Sequence, residues 1–115
     1  MTAMKREIPI NQQQIDLYGK INGDNDIIHY DHDYCLKRGF RGTLVHGPHL
    51  TAFAADLAAK KFGKDWLYRG RLHTKWVAPV CPGDVLKIEI ADDGSIVESV
   101  GQGVTVVGRA SLDDK

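Results

Sequence analysis

Cysteine is scarce in this chain: Cys35 and Cys81 are the only two among 115 residues, and no CxxC spacing relates them. That count argues against a thiolate zinc site and against a disulfide-built scaffold, and it leaves two small buried hydrophobes. Long hydrophobic runs are missing as well. No stretch approaches the roughly 20 apolar residues that a membrane helix needs, and the opening MTAMKREIPI has no apolar signal-like centre. A soluble protein in the cytoplasm, with no membrane partner, is the expectation. Charge of one sign is not in excess: 15 Lys and Arg stand against 15 Asp and Glu, so no overall field gathers nucleic acid. Repeats, low-complexity tracts and linkers are absent too, which makes residues 1–115 one expected domain.

What is present is a change of hydrophobic period partway along the chain. KREIPI reads as a short opening strand. Asn11 is placed to cap a helix whose third position is Gln14, with Ile10 and Ile15 at the staple positions and an end near Asn22-Gly23. Asp31 is placed to cap a short second helix through Tyr34, Cys35 and Leu36, closed by Gly39 in the left-handed conformation. The longest helical signal runs from Pro48 to Phe62, where Leu50, Phe53, Ala54, Leu57 and Ala58 share one face and Gly63 is the stop. Its alanines allow a close approach to a sheet.

Beyond Trp66 the period becomes two. Leu72, Thr74 and Trp76 alternate with Arg71, His73 and Lys75, then Leu86, Ile88 and Ile90 with Lys87 and Glu89. Asp93-Gly94 marks a hairpin, and Val104 to Leu112 reads as the last strand. The order β-α-α-α-β-β-β-β predicts an α+β domain, one long helix against a mostly antiparallel sheet.

Two stretches carry chemistry. In GDNDIIH, residues 23–29, Asp24 and His29 are five positions apart, a separation that a bent loop can turn toward one pocket. A carboxylate and an imidazole sharing one water can take its proton and return a proton to a neighbouring carbon, the two tasks of double-bond hydration. In GFRGTLVHGPHL, residues 39–50, His46-Gly47 directly precedes the long helix. An amide at a helix start carries partial positive charge, and glycine lets a ligand carbonyl approach it. An enolate-like thioester held there gains roughly 3–4 kcal/mol of stabilisation.

These stretches resemble the MaoC-like hydratases of the hot-dog superfamily, which include the (R)-specific enoyl-CoA hydratases. Gly23, Asp24, His29 and Asp31 keep the register of the family motif Gly-Asp-x-Asn-Pro-x-His-x-Asp, Gly39-Phe40 and His46-Gly47 follow, and KWVAPVCPGD is similar to the family's aromatic, Pro-Val and Gly-Asp stretch. The resemblance spans roughly residues 5–91. It implies a long helix wrapped by the sheet, a homodimer or higher homo-oligomer, and an acyl thioester of coenzyme A or acyl carrier protein as substrate. Asp24 and His29 would activate water and the Gly47 amide would polarise the carbonyl, with no further cofactor. Asp26, Phe40, His46, Ala52, Arg38 and Arg41 would line or contact the substrate.

The chain departs from that pattern at Asp26-Ile27, which stands where the family has Asn-Pro and sets a second carboxylate beside Asp24. Two close carboxylates raise one pKa. Ala52 stands where some relatives carry serine, and the chain after Asp92 is short. His46 is expected to order its loop by hydrogen bonds. For the phosphates of coenzyme A, Arg69, Arg71, His73 and Lys75 on one strand face compete with Lys37, Arg38 and Arg41. His29, His32, Asp31, Asp33 and His49 match neither HExxH nor a Cys/His zinc spacing, so no metal is expected. A non-catalytic acyl-binding subunit and a thioesterase are the alternatives.

Overall fold

A computed structural model describes residues 3–113, so residues 1, 2, 114 and 115 of the expected unit lie outside it. Strand β1, Met4–Pro9, leads into helix α1, Gln12–Asn22. The expected capping box forms: the Asn11 side chain accepts from the Gln14 amide, and the Gln14 side chain accepts from the Asn11 amide. Ile10 and Ile15 are both buried, and Gly23, at φ 76°, ends the helix in the left-handed region. A 3-10 turn over Ile27–His29 interrupts the loop that the sequence left open. Asp31 then caps helix α2, His32–Lys37.

Helix α3 spans Gly47–Phe62 and buries Leu50, Ala54, Leu57, Ala58 and Lys61. Sixteen residues make it about 24 Å long, enough to cross the sheet it rests on. Helix α4, Asp65–Arg69, leaves no mark in the hydrophobic pattern, because five residues after a glycine stop are too few to show a period. Strands β2, Gly70–Trp76, β3, Val85–Ile90, β4, Ser95–Val100, and β5, Gly103–Leu112, complete the chain. The material after Asp92, which looked brief, therefore supplies two full strands.

The sheet order is β1-β3-β4-β5-β2, with every neighbouring pair antiparallel. Such pairing lets one face stay wet while the other packs. Leu86, Ile88, Ile90, Ile96, Val106 and Ala110 form the packed face and meet the buried stripe of α3. The α+β layout of a long helix held by an antiparallel sheet is thus observed. One detail of β2 differs from expectation: Trp76 is in phase with Leu72 and Thr74, yet it is 53% exposed. Its ring lies against Gly47, the first residue of α3, instead of in the core. Among the described residues, no helix is long and apolar enough to cross a membrane.

Candidate active site

The loop after α1 is folded by its own polar side chains. The Asp24 amide donates to Asn22, the Asp26 amide donates to Asp24 Oδ1 and the Ile28 amide donates to Asp26 Oδ1. These successive turns carry His29 back toward Asp24, leaving Nε2 3.4 Å from Asp24 Oδ2. His29 Nδ1 donates to the Leu44 carbonyl at 2.7 Å, since a carbonyl only accepts. That bond assigns a proton to Nδ1, and Nε2 is the ring nitrogen that faces the carboxylate. The His29 backbone is held too, its carbonyl accepting from Gln12, whose own side-chain oxygen accepts from Thr43.

The Asp24 carboxyl lies below the usual carboxylate range, chiefly because the Asp26 amide donates to it; burial opposes this, and His29 and His46 add attraction. At Asp24 the direction is therefore opposite to the rise a neighbouring carboxylate would cause. Asp26 turns its side chain onto the Ile28 amide as the cap of the 3-10 turn, and its backbone, not its charge, acts on Asp24. The capping role explains how aspartate can stand in this loop.

His46 is 1% exposed and its ring stacks on His29 at 3.8 Å between centroids. Burial foremost, then the neighbouring His29, lowers its pKa, and Asp24 partly restores it. Nothing in the local pattern singles out Tyr30, which braces this cluster. Its hydroxyl donates to the Asp24 carbonyl and lies 3.2 Å from His46 Nε2. A hydroxyl has one proton, so Nε2–H of His46 donates to the Tyr30 oxygen, and the buried Nδ1 has no partner among the described residues. Gly19 is required beneath this brace, because a Cβ there would sit 1.9 Å from the hydroxyl. Tyr30→Phe is expected to cost about 1–3 kcal/mol and to lower turnover about tenfold, by unpairing two groups and loosening Asp24. Urea unfolding and kcat on one preparation check it, and a variant unchanged in both would remove Tyr30 from the brace.

A cavity of about 350 Å³ opens beside this cluster, lined by His29, Phe40, Leu50, Trp76 and Gly47 among others. Gly47 is the first residue of α3, so its N–H has no acceptor within the helix. A larger groove of about 680 Å³ runs over Glu7, Lys87 and Ser99 on the sheet, but it contains no histidine or helix start and offers no comparable chemistry. The other candidates fall outside the smaller cavity's lining. Ala52 is on the exposed side of α3, because five residues at about 100° each turn it well away from Gly47. Arg41 makes a two-pronged ion pair with Asp84 at 2.9 Å on each arm, and Arg38 donates to the Tyr34 hydroxyl. Of the rival set, Arg69 ends α4 and is not on the β2 face, and both it and Arg71 are engaged with Asp113.

Among the described residues, Asp24, His29 and His46 form one grouping whose potential ligand atoms lie within 4.8 Å of one another. Stacked imidazoles direct their nitrogen lone pairs side by side within their own planes, so they fit a single tetrahedral ion poorly. Nε2 of His29 and the carboxylate of Asp24 instead suit proton exchange with a water placed beside them.

Three comparisons bear on this arrangement. The (R)-hydratase from A. caviae involved in PHA biosynthesis superposes with a TM-score of 0.79 at 16% identity, over 96% of this chain and 93% of that one. The ChsH1-ChsH2 complex from Mycobacterium tuberculosis gives 0.78 at 13% identity, over 97% and 98%. R-hydratase PhaJ1 from Pseudomonas aeruginosa, unliganded, gives 0.70 at 16%, over 98% and 81%. These superpositions establish the shared hot-dog fold and, at identities this low, the fold alone. No curated protein sequence matches. At the family level, residues 2–114 match the MaoC like domain, so this chain belongs to the MaoC-like dehydratase family.

Proposed function

We propose that the protein reversibly adds water to a trans-2-enoyl thioester, giving the (R)-3-hydroxyacyl product. The carrying observation is a facing acid–base pair: His29 Nε2 and the Asp24 carboxylate, 3.4 Å apart, beside the cavity that Gly47 also lines. One water placed beside them can hydrogen-bond to both groups at once. The pair takes one proton as the water oxygen bonds to C3. The electrons of the C2–C3 double bond shift onto the carbonyl oxygen, where the Gly47 N–H stabilises the enolate. Carbon C2 then receives the proton, and nothing is oxidised or reduced.

By its chemistry the reaction uses no redox cofactor, and coenzyme A or acyl carrier protein enters only as the carrier of the acyl group. Phe40 and Leu50 supply apolar lining for the chain. Homodimerisation belongs to the same reading. Strand β2 is an edge strand with β5 as its sheet neighbour, while Leu17, Ile21, Leu67 and Tyr68 stand exposed. Light scattering of the purified protein at twice the chain mass is expected, and a monomer would remove the dimer.

Loss of enoyl absorbance with crotonyl-CoA and hexenoyl-CoA tests the reaction. Turnover without thiol release is expected. Thiol release with no hydration would make the protein a thioesterase, and saturable binding without turnover would make it an acyl-binding subunit.

A further inference from the structure

Trp76 is held where core packing does not require it. The residue ends β2 and is more than half exposed, yet its ring is anchored twice. The indole N–H donates to the Thr51 hydroxyl at 2.9 Å, and that hydroxyl is itself 2.9 Å from the hydroxyl of Thr74. The ring face lies on the Gly47 backbone so closely that a Cβ there would meet Cε3, Cδ2 and Cζ3 at 2.6–2.7 Å. Glycine at 47 therefore answers two demands, an open amide and room for an indole.

The same ring lines the cavity with His29, Phe40 and Leu50. A freely rotating surface aromatic would make a poor boundary. One tied to the second turn of α3 and pressed on its first residue is rigid, and it stands beside the amide that a thioester carbonyl would meet. A rigid wall beside the reacting atoms limits the room for acyl carbons, and misfit there is felt in the transition state.

We propose that Trp76 is a specificity-determining wall of this cavity, selecting short unbranched acyl groups, with Thr51 as its positioning residue. The proposal rests on the acyl-thioester reading of the site. Trp76→Ala is expected to raise the kcat/KM ratio of octenoyl-CoA to crotonyl-CoA at least about tenfold, the scale on which methylene-sized changes in pocket fit are discriminated. Thr51→Val, which frees the ring without removing it, is expected to move the ratio the same way by less. Should Trp76→Ala not fold, Trp76→Phe tests the same wall with a smaller ring.

A second readout needs no turnover. The chain has two tryptophans, so Trp66→Phe leaves Trp76 as the sole indole reporter. Its emission is expected to change on titration with saturated butyryl-CoA or octanoyl-CoA, and Thr51→Val in that background is expected to favour octanoyl-CoA. Ratios unchanged within about twofold in the variants, or binding that leaves Trp76 emission untouched, would overturn the wall. Absent turnover together with binding that shifts in affinity order would overturn the hydratase reading and keep the wall. Neither turnover nor binding of any of these thioesters would overturn both.

Discussion

Asp24→Asn or His29→Gln is expected to lower hydration turnover by roughly 10²–10⁴-fold, the ordinary contribution of a positioned acid–base group. Each change acts on a different half of the same water site. Asn at 24 replaces one acceptor by an amide whose N–H₂ points a donor at the water, so the proton has nowhere to go. Gln at 29 forfeits the ring whose proton is assigned by the Leu44 carbonyl. Because the two side chains hold one water, the double variant is expected to lose little more than the worse single one. Circular dichroism and thermal melting beside the kinetics separate chemistry from folding. Near-normal turnover in either variant removes that residue from the mechanism.

Raised stability is the expected outcome of Glu98→Met. Glu98 is on the buried face of β4, opposite Ile88 and Val106, and neither carboxyl oxygen has a hydrogen-bond partner among the described residues. Burial alone pushes its pKa from 4.5 to about 8. The folded state therefore holds a proton that the unfolded state gives up across that interval. Between 4.5 and 8 the native form binds more protons, so stability falls as pH rises through this window. At about pH 7 the loss is on the order of 3 kcal/mol, at 1.36 kcal/mol per unit. Methionine matches the length of the side chain with no charge to desolvate. Urea unfolding from pH 5 to 8 is expected to show a declining wild type and a flatter, more stable variant; a wild type that is level over this range would contradict it.

His46 and His49 contribute the opposite slope. Burial lowers both below the ordinary 6.5, with His29 adding to the effect at His46 and His46 at His49. The unfolded chain then takes up protons first as pH falls below 6.5, and stability falls with it. Acid destabilisation in the variant thus reports the buried histidines once Glu98 is gone.

The elements most legible in the sequence are those whose causes are local. Asn11 and Gln14 are three residues apart and cap the same turn, Gly63 ends α3, and the shift from a period near four to a period of two marks where the sheet begins. Glu98 was legible as well: Ile96, Glu98 and Val100 alternate with Val97 and Ser99, which puts a carboxylate in line with the apolar face. Weighing that alternation would have exposed the buried charge. Helix α4 and the 3-10 turn were not legible, being shorter than any period they could show.

Side-chain partners at long range were the least readable. Arg41 is a plausible phosphate ligand until Asp84, 43 positions on, closes a two-pronged pair with it. Tyr30 is an ordinary loop aromatic until the chain brings His46 within reach of its hydroxyl. Trp76 reads as one more inward residue of a strand until Gly47 and Thr51 are set beneath it.

By itself the sequence determined the kinds of element, their order and the residue types able to run acid–base chemistry, because capping, periodicity and side-chain acidity act within a few residues. Only the tertiary structure decided which of those groups meet: residues 24, 29, 46, 47 and 76 come from two loops, a helix start and a strand end. Their convergence follows from how the sheet closes around α3, and closure is a sum of contacts between residues far apart in the chain, which no local pattern records.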